Sequence, residues 1–403
     1  MVTTSYPRRE DDPAGRFVYE MTAELASRGH SLTVAAPLGQ KGADMGFLRL
    51  QNKIGIRFHN IVYPWPESWP GIFDGYGAPD ALERRPWLIC EVPMFLFALV
   101  RDSRRLLRNM DGLVSHWLFP SSIISALMFP GKPHVAVAHS SDVGMLVKSG
   151  CAHYAVKILL RSNTEIMFSC KSVRNLLMDK LSPHAADALR RRSFVQPMGV
   201  NIDTRLNHQR NQIRKDMGLK GFSILFMGRI APVKQPYRLL DLAQKIQNGV
   251  FVVAGDGPLR QDMETRVQEM GMSSRFRFTG AVGPEKKHRL LAACDVLVST
   301  SGKTGRTEGA PVSIMEASAA GLPVVAPDIG GIGELVQHEK TGFLFTPDNI
   351  DEMAEALKKL QTDKNLSKQM SVQAQEYGKR FDWSEVIAKV ESRFQAMSLK
   401  IRR

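Results

Sequence analysis

Short apolar runs rich in β-branched residues alternate along the chain with longer stretches whose apolar residues recur at helical spacing. The ten runs predicted to be strands are 32–36, 112–115, 135–138, 165–168, 193–196, 223–227, 250–254, 275–279, 295–300 and 323–326. Helical periodicity covers 17–28, 236–247, 285–293 and 350–362, among others. Because strand–helix alternation is typical of parallel α/β sheets, the pattern predicts two such domains, one in each half.

A turn-like break at residues 197–200 (PMGV) separates the two halves. It follows the last predicted strand of the first half and precedes a polar stretch, 201–214. A chain of 403 residues is long enough for two domains that each bury a core. The last segment, which begins at Trp383, is predicted to be a helix.

Polar loops follow four of the predicted strands in the second half. Their notable residues are Gly228, Arg229 and Lys234, then Gly255, Asp256, Gly257 and Pro258, then Glu308, and finally Gly330 and Gly331. Ligands of open parallel sheets bind at the carboxyl ends of the strands. All four loops fall at that edge, so we expect them to converge on one ligand.

A short helix is predicted at 311–320, with Pro311 in its first turn and Gly321 just after its end. The N–H groups and positive dipole end at the start of such a helix form an anion site that suits a diphosphate. Glu316, a little over one turn into the helix, is a candidate to accept hydrogen bonds from two ribose hydroxyls, and Glu308 from sugar hydroxyls. The alternative is a capping acid followed by a solvated helix glutamate.

Arg229 and Lys234 are candidates for binding a diphosphate leaving group, which becomes more anionic as a glycosidic bond breaks. Arginine offers a bidentate fork and lysine a point charge. The alternative is a pair of surface cations on a loop. The glycines at 255 and 257 do not complete a dinucleotide fingerprint, because Arg260 stands where the third glycine belongs.

Two positions in the first half are candidates for the same site. His139 follows the predicted strand 135–138, where we expect it to face the cleft between the domains and to hydrogen-bond a sugar hydroxyl; a structural histidine is the alternative. Gly15 precedes the predicted helix that starts at Phe17 and would allow a ligand to approach the backbone closely. A general turn role is the alternative for Gly15.

The net charge of +14 is concentrated in the middle of the first half, where residues 101–192 hold 14 Lys/Arg against 6 Asp/Glu, an excess of 8. An apolar block, 86–100, precedes a helical stripe of four arginines, Arg101, Arg104, Arg105 and Arg108. The block is too short for a membrane span. A basic stripe beside apolar bulk can lie on an anionic membrane surface, which makes such a surface a candidate partner; a core helix that continues into a solvated one is the alternative. Nucleic acid is not expected, since no aromatic residues are interleaved with the basic ones.

The four cysteines are widely spaced, which argues against a metal knuckle or a redox pair. We expect reduced, mostly buried thiols in a cytoplasmic protein. The chain opens without the apolar segment of a signal peptide. No metal-ligand cluster is apparent, so neither a metal nor another cofactor is expected.

With these residues in view, nearly the whole chain resembles the retaining glycosyltransferase family 4, which has the GT-B architecture. The motifs that carry the resemblance most specifically are Gly228-Arg229 with Lys234, Gly255-Asp256-Gly257-Pro258, the E-x7-E pattern at Glu308 and Glu316, and Gly330-Gly331. The first half is similar to a bacterial exopolysaccharide and glycolipid branch of the family at 4–8 (TSYPR), 116–120 (HWLFP) and 197–200 (PMGV).

The resemblance implies an α/β fold of two Rossmann-like domains whose parallel sheets face each other across a cleft. It implies an acceptor-side domain at 1–199, a nucleotide-sugar-binding domain at 200–381, and a helix at 382–403 that returns to the first domain. The family usually has a longer opening strand than the few residues that precede Thr4. Glycine is also common in the family where this chain has Ser140 and Gln235.

The site roles implied by the resemblance are as follows. Arg229 and Lys234 would bind the donor diphosphate, and the backbone of Val312 and Ser313 would hold phosphate oxygens. Glu308 would contact the transferred sugar, Glu316 the ribose and His139 the sugar, and Gly15 and Gly228 would line the donor site. The residues counted as catalytic are Arg229, Lys234, Glu308 and His139.

The expected reaction is the transfer of a hexose from a UDP- or GDP-linked sugar to a saccharide or lipid-linked hydroxyl, with retained anomeric configuration and without a metal. Two alternatives remain open: a sugar-nucleotide epimerase or phosphorylase of the same architecture, and a catalytically silent sugar-nucleotide-binding protein. The resemblance favours polysaccharide or glycolipid synthesis. The expected location is the cytoplasm, peripheral at the inner face of the plasma membrane.

Overall fold

The chain folds into two α/β units, each built on parallel strands. The computed structural model describes residues 1–10, 12, 14–38, 44, 46–48, 51, 54–66, 69–73, 78–302 and 309–401. The first unit combines Met1–Gly199 with Trp383–Arg403, and the second comprises Val200–Asp382. The second unit is therefore inserted into the first, and it ends one residue beyond the predicted boundary at 381.

The described residues of the first unit form six strands. They are β1 (Leu32–Ala36), β2 (Ile56–Asn60), β3 (Leu113–His116), β4 (His134–Ala138), β5 (Thr164–Phe168) and β6 (Ser193–Val195). β1 pairs with β2, and β3 to β6 pair in chain order, all in parallel. Val2 forms parallel bridges to Ala35 and to Ser115, so the opening residues lie between β1 and β3. The short opening strand is thus reduced to a single bridging residue at the centre of the unit.

Helices pack around the strands of the first unit. Its helices include Arg16–Ser27, Ala78–Arg84, Val92–Leu106, Ile123–Met128, Ser140–Lys148, Ala152–Arg161, Lys171–Met178, Pro183–Arg191 and Trp383–Ile401, with shorter turns at Pro86–Glu91, Leu107–Asn109 and Leu118–Ser122. Within the described part of the chain, no single helix is long and apolar enough to cross a bilayer. Ser140–Lys148 and Ala152–Arg161 meet that criterion only as a pair, bent by 119°.

The C-terminal helix belongs to the core of the first unit. Trp383, Val386 and Ile387 are buried in one cluster with residues of β4 and β5. The indole N–H of Trp383 donates to Glu20 over 3.1 Å. A Cβ atom on Gly199 would lie 2.3 Å from the Trp383 ring, so only glycine fits at the end of the first segment.

The second unit is a six-stranded parallel sheet in the order β12-β11-β10-β7-β8-β9. Its strands are β7 (Phe222–Met227), β8 (Gly249–Ala254), β9 (Phe276–Gly280), β10 (Val296–Val298), β11 (Val324–Pro327) and β12 (Gly342–Phe345). The chain moves from β7 to one side of the sheet and later returns to the other side at β10. The strand order therefore reverses between β7 and β10, which is the point where such sheets bind ligands.

Helices pack on both faces of this sheet. They are Arg210–Asp216, Arg238–Lys245, Arg260–Glu269, Pro284–Ala293, Val312–Ala320, Ile332–Leu335, Ile350–Thr362 and Lys364–Gly378, with 3₁₀ turns at Thr204–Gln209, Pro232–Lys234 and Lys379–Phe381. Two buried apolar clusters, one centred on Phe251 and Leu357 and the other on Leu225 and Met315, form its cores.

The predicted α/β fold with parallel sheets is confirmed. All ten predicted strands are present, with ends shifted by at most two residues. β2 and β12 were not predicted. The expectation of mostly buried thiols is correct for only half of them, since Cys170 and Cys294 are buried whereas Cys90 and Cys151 are exposed.

Candidate active site

The candidate site in the second unit lies at the reversal point of the sheet. The loop after β7 carries Arg229 and ends in the turn Pro232–Lys234, and the residues after β10 run from Ser299 to Gly302. The Thr300 hydroxyl donates a hydrogen bond of 2.6 Å to the carbonyl oxygen of Lys234. Because Thr300 is fully buried, this bond fixes the turn against the end of the neighbouring strand.

Two glycines of the Gly255–Gly257 motif allow the loops after β7 and β8 to pack backbone against backbone. A Cβ atom on Gly255 would lie 1.9 Å from the carbonyl oxygen of Gly228, and one on Gly257 would lie 2.3 Å from that of Ile230. The Ile230 N–H also donates to the carbonyl oxygen of Asp256 over 2.9 Å. The motif therefore supports the loop that carries the cations, and no dinucleotide is needed to explain it.

The two predicted cations are close neighbours on this loop. The side chain of Lys234 runs back across Gly228, because its Cε atom lies 3.7 Å from the position that a Cβ on Gly228 would take. Arg229 follows Gly228 directly and is half-buried, as is Lys234. The Lys234 side chain thus lies beside the backbone that directly precedes Arg229, at the end of β7.

Gln235 has a left-handed backbone, with φ 44° and ψ 54°. Glycine adopts this conformation at no steric cost, whereas other residues adopt it only where the surroundings hold them. The Gln235 side chain lies beside Gly302, where an added Cβ would be 2.2 Å from the amide nitrogen of Gln235. The glutamine that replaces the common glycine is thus accommodated because position 302 has no side chain.

The helix Val312–Ala320 begins at the same edge of the sheet. Pro311 is its N-cap residue, and Gly321 ends it with φ 75°, at the position predicted for the helix end. The first N–H groups that donate within this turn are those of Ile314 and Met315, both to Pro311. The N–H groups of Val312 and Ser313 precede them, at the positive end of the helix dipole.

Glu316 is buried, with 6% of its surface exposed, and forms an ion pair with Lys287 from the helix Pro284–Ala293. Lys287 was not predicted, because nothing in the local pattern of that helix distinguishes it from a solvated lysine. Glu316 is therefore a carboxylate with a cation at one oxygen. Glu308, the other member of the E-x7-E pattern, lies outside the described residues.

In the first unit, His139 lies in a cluster of aromatic rings. Its ring centroid is 4.8 Å from that of Trp117 and 5.1 Å from that of Phe17, and its Nε2 lies 3.3 Å from Nδ1 of His116. Burial lowers the pKa of His139 to about 4 and that of His116 well below its ordinary value. Both imidazoles are therefore neutral at pH 7, so His139 can donate or accept a hydrogen bond without bringing a charge.

A buried carboxylate holds this part of the first unit in place. The side chain of Asp142 accepts hydrogen bonds from the backbone N–H groups of His139, Val143 and Leu118. These bonds connect the start of the helix Ser140–Lys148 to the HWLFP segment, where the backbone of Trp117 has a positive φ of 66°. Asp142 was not predicted, although it occupies the capping position three residues after His139.

Gly15 precedes the helix Arg16–Ser27 with φ 66°. A Cβ atom on it would lie 2.6 Å from the carbonyl carbon and oxygen of Ser5. Glycine is therefore needed at position 15, because a side chain there would collide with the backbone of the TSYPR segment (4–8). Gly15 and His139 belong to the same region of the first unit, since Phe17, two residues after Gly15, contacts the His139 ring.

Residues 209–377 match the sequence profile of a family described as Glycosyl transferases group 1. Alpha-D-kanosaminyltransferase of Streptomyces kanamyceticus is 25% identical over 382 residues, which cover 89% of this chain and 92% of that protein. A UDP-Gal:alpha-D-GlcNAc-diphosphoundecaprenol alpha-1,3-galactosyltransferase of Escherichia coli is 34% identical over 162 residues, or 38% of this chain and 40% of that protein.

Among solved structures, that of Anabaena HepE in complex with UDP is similar to this chain. The TM-score is 0.71 over 98% of each chain, at 18% sequence identity. At this level of identity the likeness concerns the fold, and it extends over both units.

Proposed function

We propose that this chain, which belongs to the group 1 family of glycosyltransferases and has the GT-B fold, transfers a hexose from a UDP- or GDP-linked sugar with retention of anomeric configuration and without a metal ion. The chain is a nucleotide-sugar-dependent glycosyltransferase that acts on saccharide or lipid acceptors.

The observation that carries the proposal is that two features suited to anions follow the adjacent strands β7 and β10, at the strand reversal. The loop with Arg229 and Lys234 is bonded through Thr300 to the end of β10, and the helix Val312–Ala320 begins beyond that strand. Cationic side chains and helix N–H groups at one edge suit a diphosphate. Arg229 and Lys234 would bind its oxygens, and the N–H groups of Val312 and Ser313 would cap them.

The chemistry follows from this placement. When the bond between the anomeric carbon and the β-phosphate oxygen breaks, negative charge accumulates on the departing diphosphate. Arg229 and Lys234 stabilise that charge more in the transition state than in the ground state, which lowers the barrier. The acceptor hydroxyl attacks from the face that the phosphate leaves, and a phosphate oxygen takes its proton, so the configuration is retained.

The remaining roles concern positioning of the donor. Glu316 would accept hydrogen bonds from the ribose hydroxyls, with Lys287 keeping the carboxylate in place. His139, which is neutral, would hydrogen-bond the transferred sugar, and Glu308 would hold its other hydroxyls. Gly15 and Gly228 would contribute backbone surface that no side chain obstructs.

Thermal denaturation in the presence of UDP, GDP, ADP and CMP tests the proposal. A ligand at 100 times its Kd adds about 2.7 kcal/mol to the free energy of unfolding. We expect one nucleoside diphosphate to raise Tm, and Lys234→Ala to abolish the increase while the exposed Lys220→Ala retains it. Failure of all four nucleotides to raise Tm would contradict the proposed site.

A further inference from the structure

We propose that the first unit carries a membrane-docking surface in which a cluster of three tryptophans enters the interface of an anionic bilayer while a stripe of arginines contacts lipid phosphates. The surface comprises Trp65, Trp69, Trp87, Ile89, Phe97, Arg104, Arg105 and Arg108. This proposal does not depend on the proposed sugar chemistry. It rests on a half-exposed cluster of indole rings and on exposed apolar and basic side chains that follow one another along the neighbouring helix and the turns at its two ends.

The tryptophan cluster is assembled from two segments of the chain. Trp65 stacks on Trp87 with ring centroids 6.2 Å apart, and Trp69 meets each of them edge to face at 5.7 and 5.8 Å. Trp69 and Trp87 nevertheless remain 50% and 45% exposed. Large indole rings that pack on one another yet stay half in solvent are typical of the boundary between water and lipid, where tryptophan is enriched.

The exposed side of the following helix changes from apolar to basic. In Val92–Leu106 and the turn after it, the exposed residues are Pro93, Phe97, Arg101, Arg104, Arg105, Arg108 and Asn109. Between them, Phe95, Leu99 and Ser103 are buried against the unit. Phe97 is 71% exposed, and Ile89, in the turn before the helix, is 58% exposed. The exposed side is therefore one stripe, apolar at its start and basic at its end.

Residues 62 and 63, which precede Trp65, fix the position of the tryptophan cluster along the helix Val92–Leu106. Arg101 donates to the carbonyl oxygen of Val62 over 2.9 Å, and Tyr63 donates to the buried carboxylate of Glu91. The chain thus runs back along the helix from Arg101 towards Trp87, which places the tryptophans at the apolar end of the stripe. Phe97 and Arg108 are about 16 Å apart along the axis at 1.5 Å per residue.

The arginines at the basic end have few partners of their own. Arg101 pairs with Asp102 at 2.7 Å, and Arg104 donates to the sulfur of Met128. Among the described residues, no carboxylate forms an ion pair with Arg104, Arg105 or Arg108. Clustered cations beside apolar surface attract anionic lipids, and apolar side chains then enter the boundary between headgroups and acyl chains.

A saccharide fits this surface less well than a bilayer does. A sugar ring would stack on an exposed indole face, but it would leave the aliphatic side chain of Ile89 and the ring of Phe97 without a partner. A bilayer covers all of these and also neutralises the arginines. The occupant that matches both the apolar and the charged part is therefore an anionic lipid surface.

Intrinsic fluorescence of the full chain provides the first test, because three of its five tryptophans lie in the cluster. Vesicles of phosphatidylcholine and phosphatidylglycerol at 1:1 should shift the emission to shorter wavelength, and brominated acyl chains should quench it. Vesicles of phosphatidylcholine alone should give a smaller change, and 0.5 M salt should weaken binding to the mixed vesicles.

Variants at the two ends of the stripe separate the two contributions. Ile89→Ser combined with Phe97→Ser should lower partitioning at least tenfold on vesicles of either composition. Arg105→Glu combined with Arg108→Glu should lower it at least tenfold only on anionic vesicles. The exposed residues Val372 and Arg191 provide controls, as V372S and R191E, which should leave partitioning unchanged.

The proposal would be overturned by absence of both co-sedimentation and an emission change with the mixed vesicles. Equal binding by both double variants and the unmodified chain would also overturn it. An emission change with maltoheptaose but not with vesicles would assign the cluster to a saccharide instead. The nucleotide-dependent increase in Tm should survive in all these variants, which distinguishes this surface from the donor site.

Discussion

A Cβ atom on Gly255 would lie 1.9 Å from the carbonyl oxygen of Gly228, so these two glycines bring the loops after β7 and β8 into backbone contact. Gly255→Ala must push the loop that carries Arg229 and Lys234 away. Overpacking of this kind costs about 1–3 kcal/mol. We expect a lower free energy of unfolding in urea and loss of the nucleotide-dependent rise in Tm.

Gly283→Ala is the matched control for this substitution. An added Cβ at Gly283 meets no atom within 4 Å, and the residue precedes a helix of the same unit. Its stability and nucleotide response should remain close to those of the unmodified chain. A Gly255→Ala protein that still binds nucleotide normally would show that the loop contact does not position the cations.

Glu316→Gln should weaken binding of the donor nucleotide. Hydrogen bonds to a charged acceptor contribute about 1.5–3 kcal/mol, so we expect the Kd to rise roughly 10- to 100-fold. Isothermal titration with the nucleoside diphosphate that stabilises the protein measures this. Glu355→Gln, at an exposed position in another helix of the second unit, should leave the Kd unchanged; an equal effect of both substitutions would contradict the assignment.

Lys287→Met tests the ion pair from its other side. Glu316 remains buried without its Lys287 partner, so the free energy of unfolding should fall by about 1–3 kcal/mol. The donor Kd should also rise, since the carboxylate loses the contact that orients it. If the substitution changes neither stability nor affinity, Lys287 has no part in the site.

The first unit should lose stability in mild acid. Burial lowers the pKa of His134 from 6.5 to about 3, so the unfolded chain binds more protons than the native one between those values. The free energy of unfolding therefore falls as the pH drops, by up to about 1.4 kcal/mol per pH unit for this group. His116 and His139 act in the same direction. Asp142, whose pKa burial raises to about 7, acts in the opposite one.

His134→Gln isolates one of these contributions. The ring of His134 lies between the hydroxyls of Ser115 and Thr164, at 2.6 and 2.9 Å, and a glutamine amide can bond to both. Urea titrations at pH 6.5, 5.8 and 5.0 give the free energy of unfolding at each pH. We expect it to change less steeply with pH in the variant, by about 1.4 kcal/mol per pH unit, which corresponds to one proton. Identical slopes in the two proteins would contradict the assignment of the lowered pKa to His134.

EDTA should leave glycosyl transfer intact, because the proposed site neutralises the diphosphate with Arg229 and Lys234. Initial rates measured with and without 5 mM EDTA should agree within error. Activity that disappears with EDTA and returns with Mg²⁺ or Mn²⁺ would show that the two cations are not sufficient for the leaving group.

Most strands of this fold follow from local patterns, and the ten predicted ones lie within two residues of their observed ends. β2 was missed because its segment, Ile56–Asn60, mixes apolar and polar residues. Such a mixture suits an edge strand, and in β2 only Ile56, at one end, is buried. β12 was missed because Gly342–Phe345 is short and opens with glycine. Strands of this kind are specified by the neighbour they pair with, which a single segment does not reveal.

Candidate site residues could be recognised in the sequence where they lie close together in one loop or mark the start of one helix. Arg229 and Lys234 are five residues apart, and the helix start at Pro311 has its own sequence signal. The Lys287–Glu316 pair joins two helices 29 residues apart, and the tryptophan cluster joins segments separated by 22 residues. Such contacts depend on the three-dimensional packing of whole elements, so no local pattern predicts them.

The C-terminal helix, which closes the core of the first unit, sets the order in which the protein can be completed on the ribosome. Trp383, Val386 and Ile387 are synthesised after every residue of the inserted second unit. The apolar face formed by β4 and β5 therefore stays exposed to solvent while the second unit emerges from the ribosome and folds. Although domains usually fold in the order of their synthesis, the first unit of this chain reaches its native core last. A nascent chain stalled before residue 383 should consequently expose that face to chaperones.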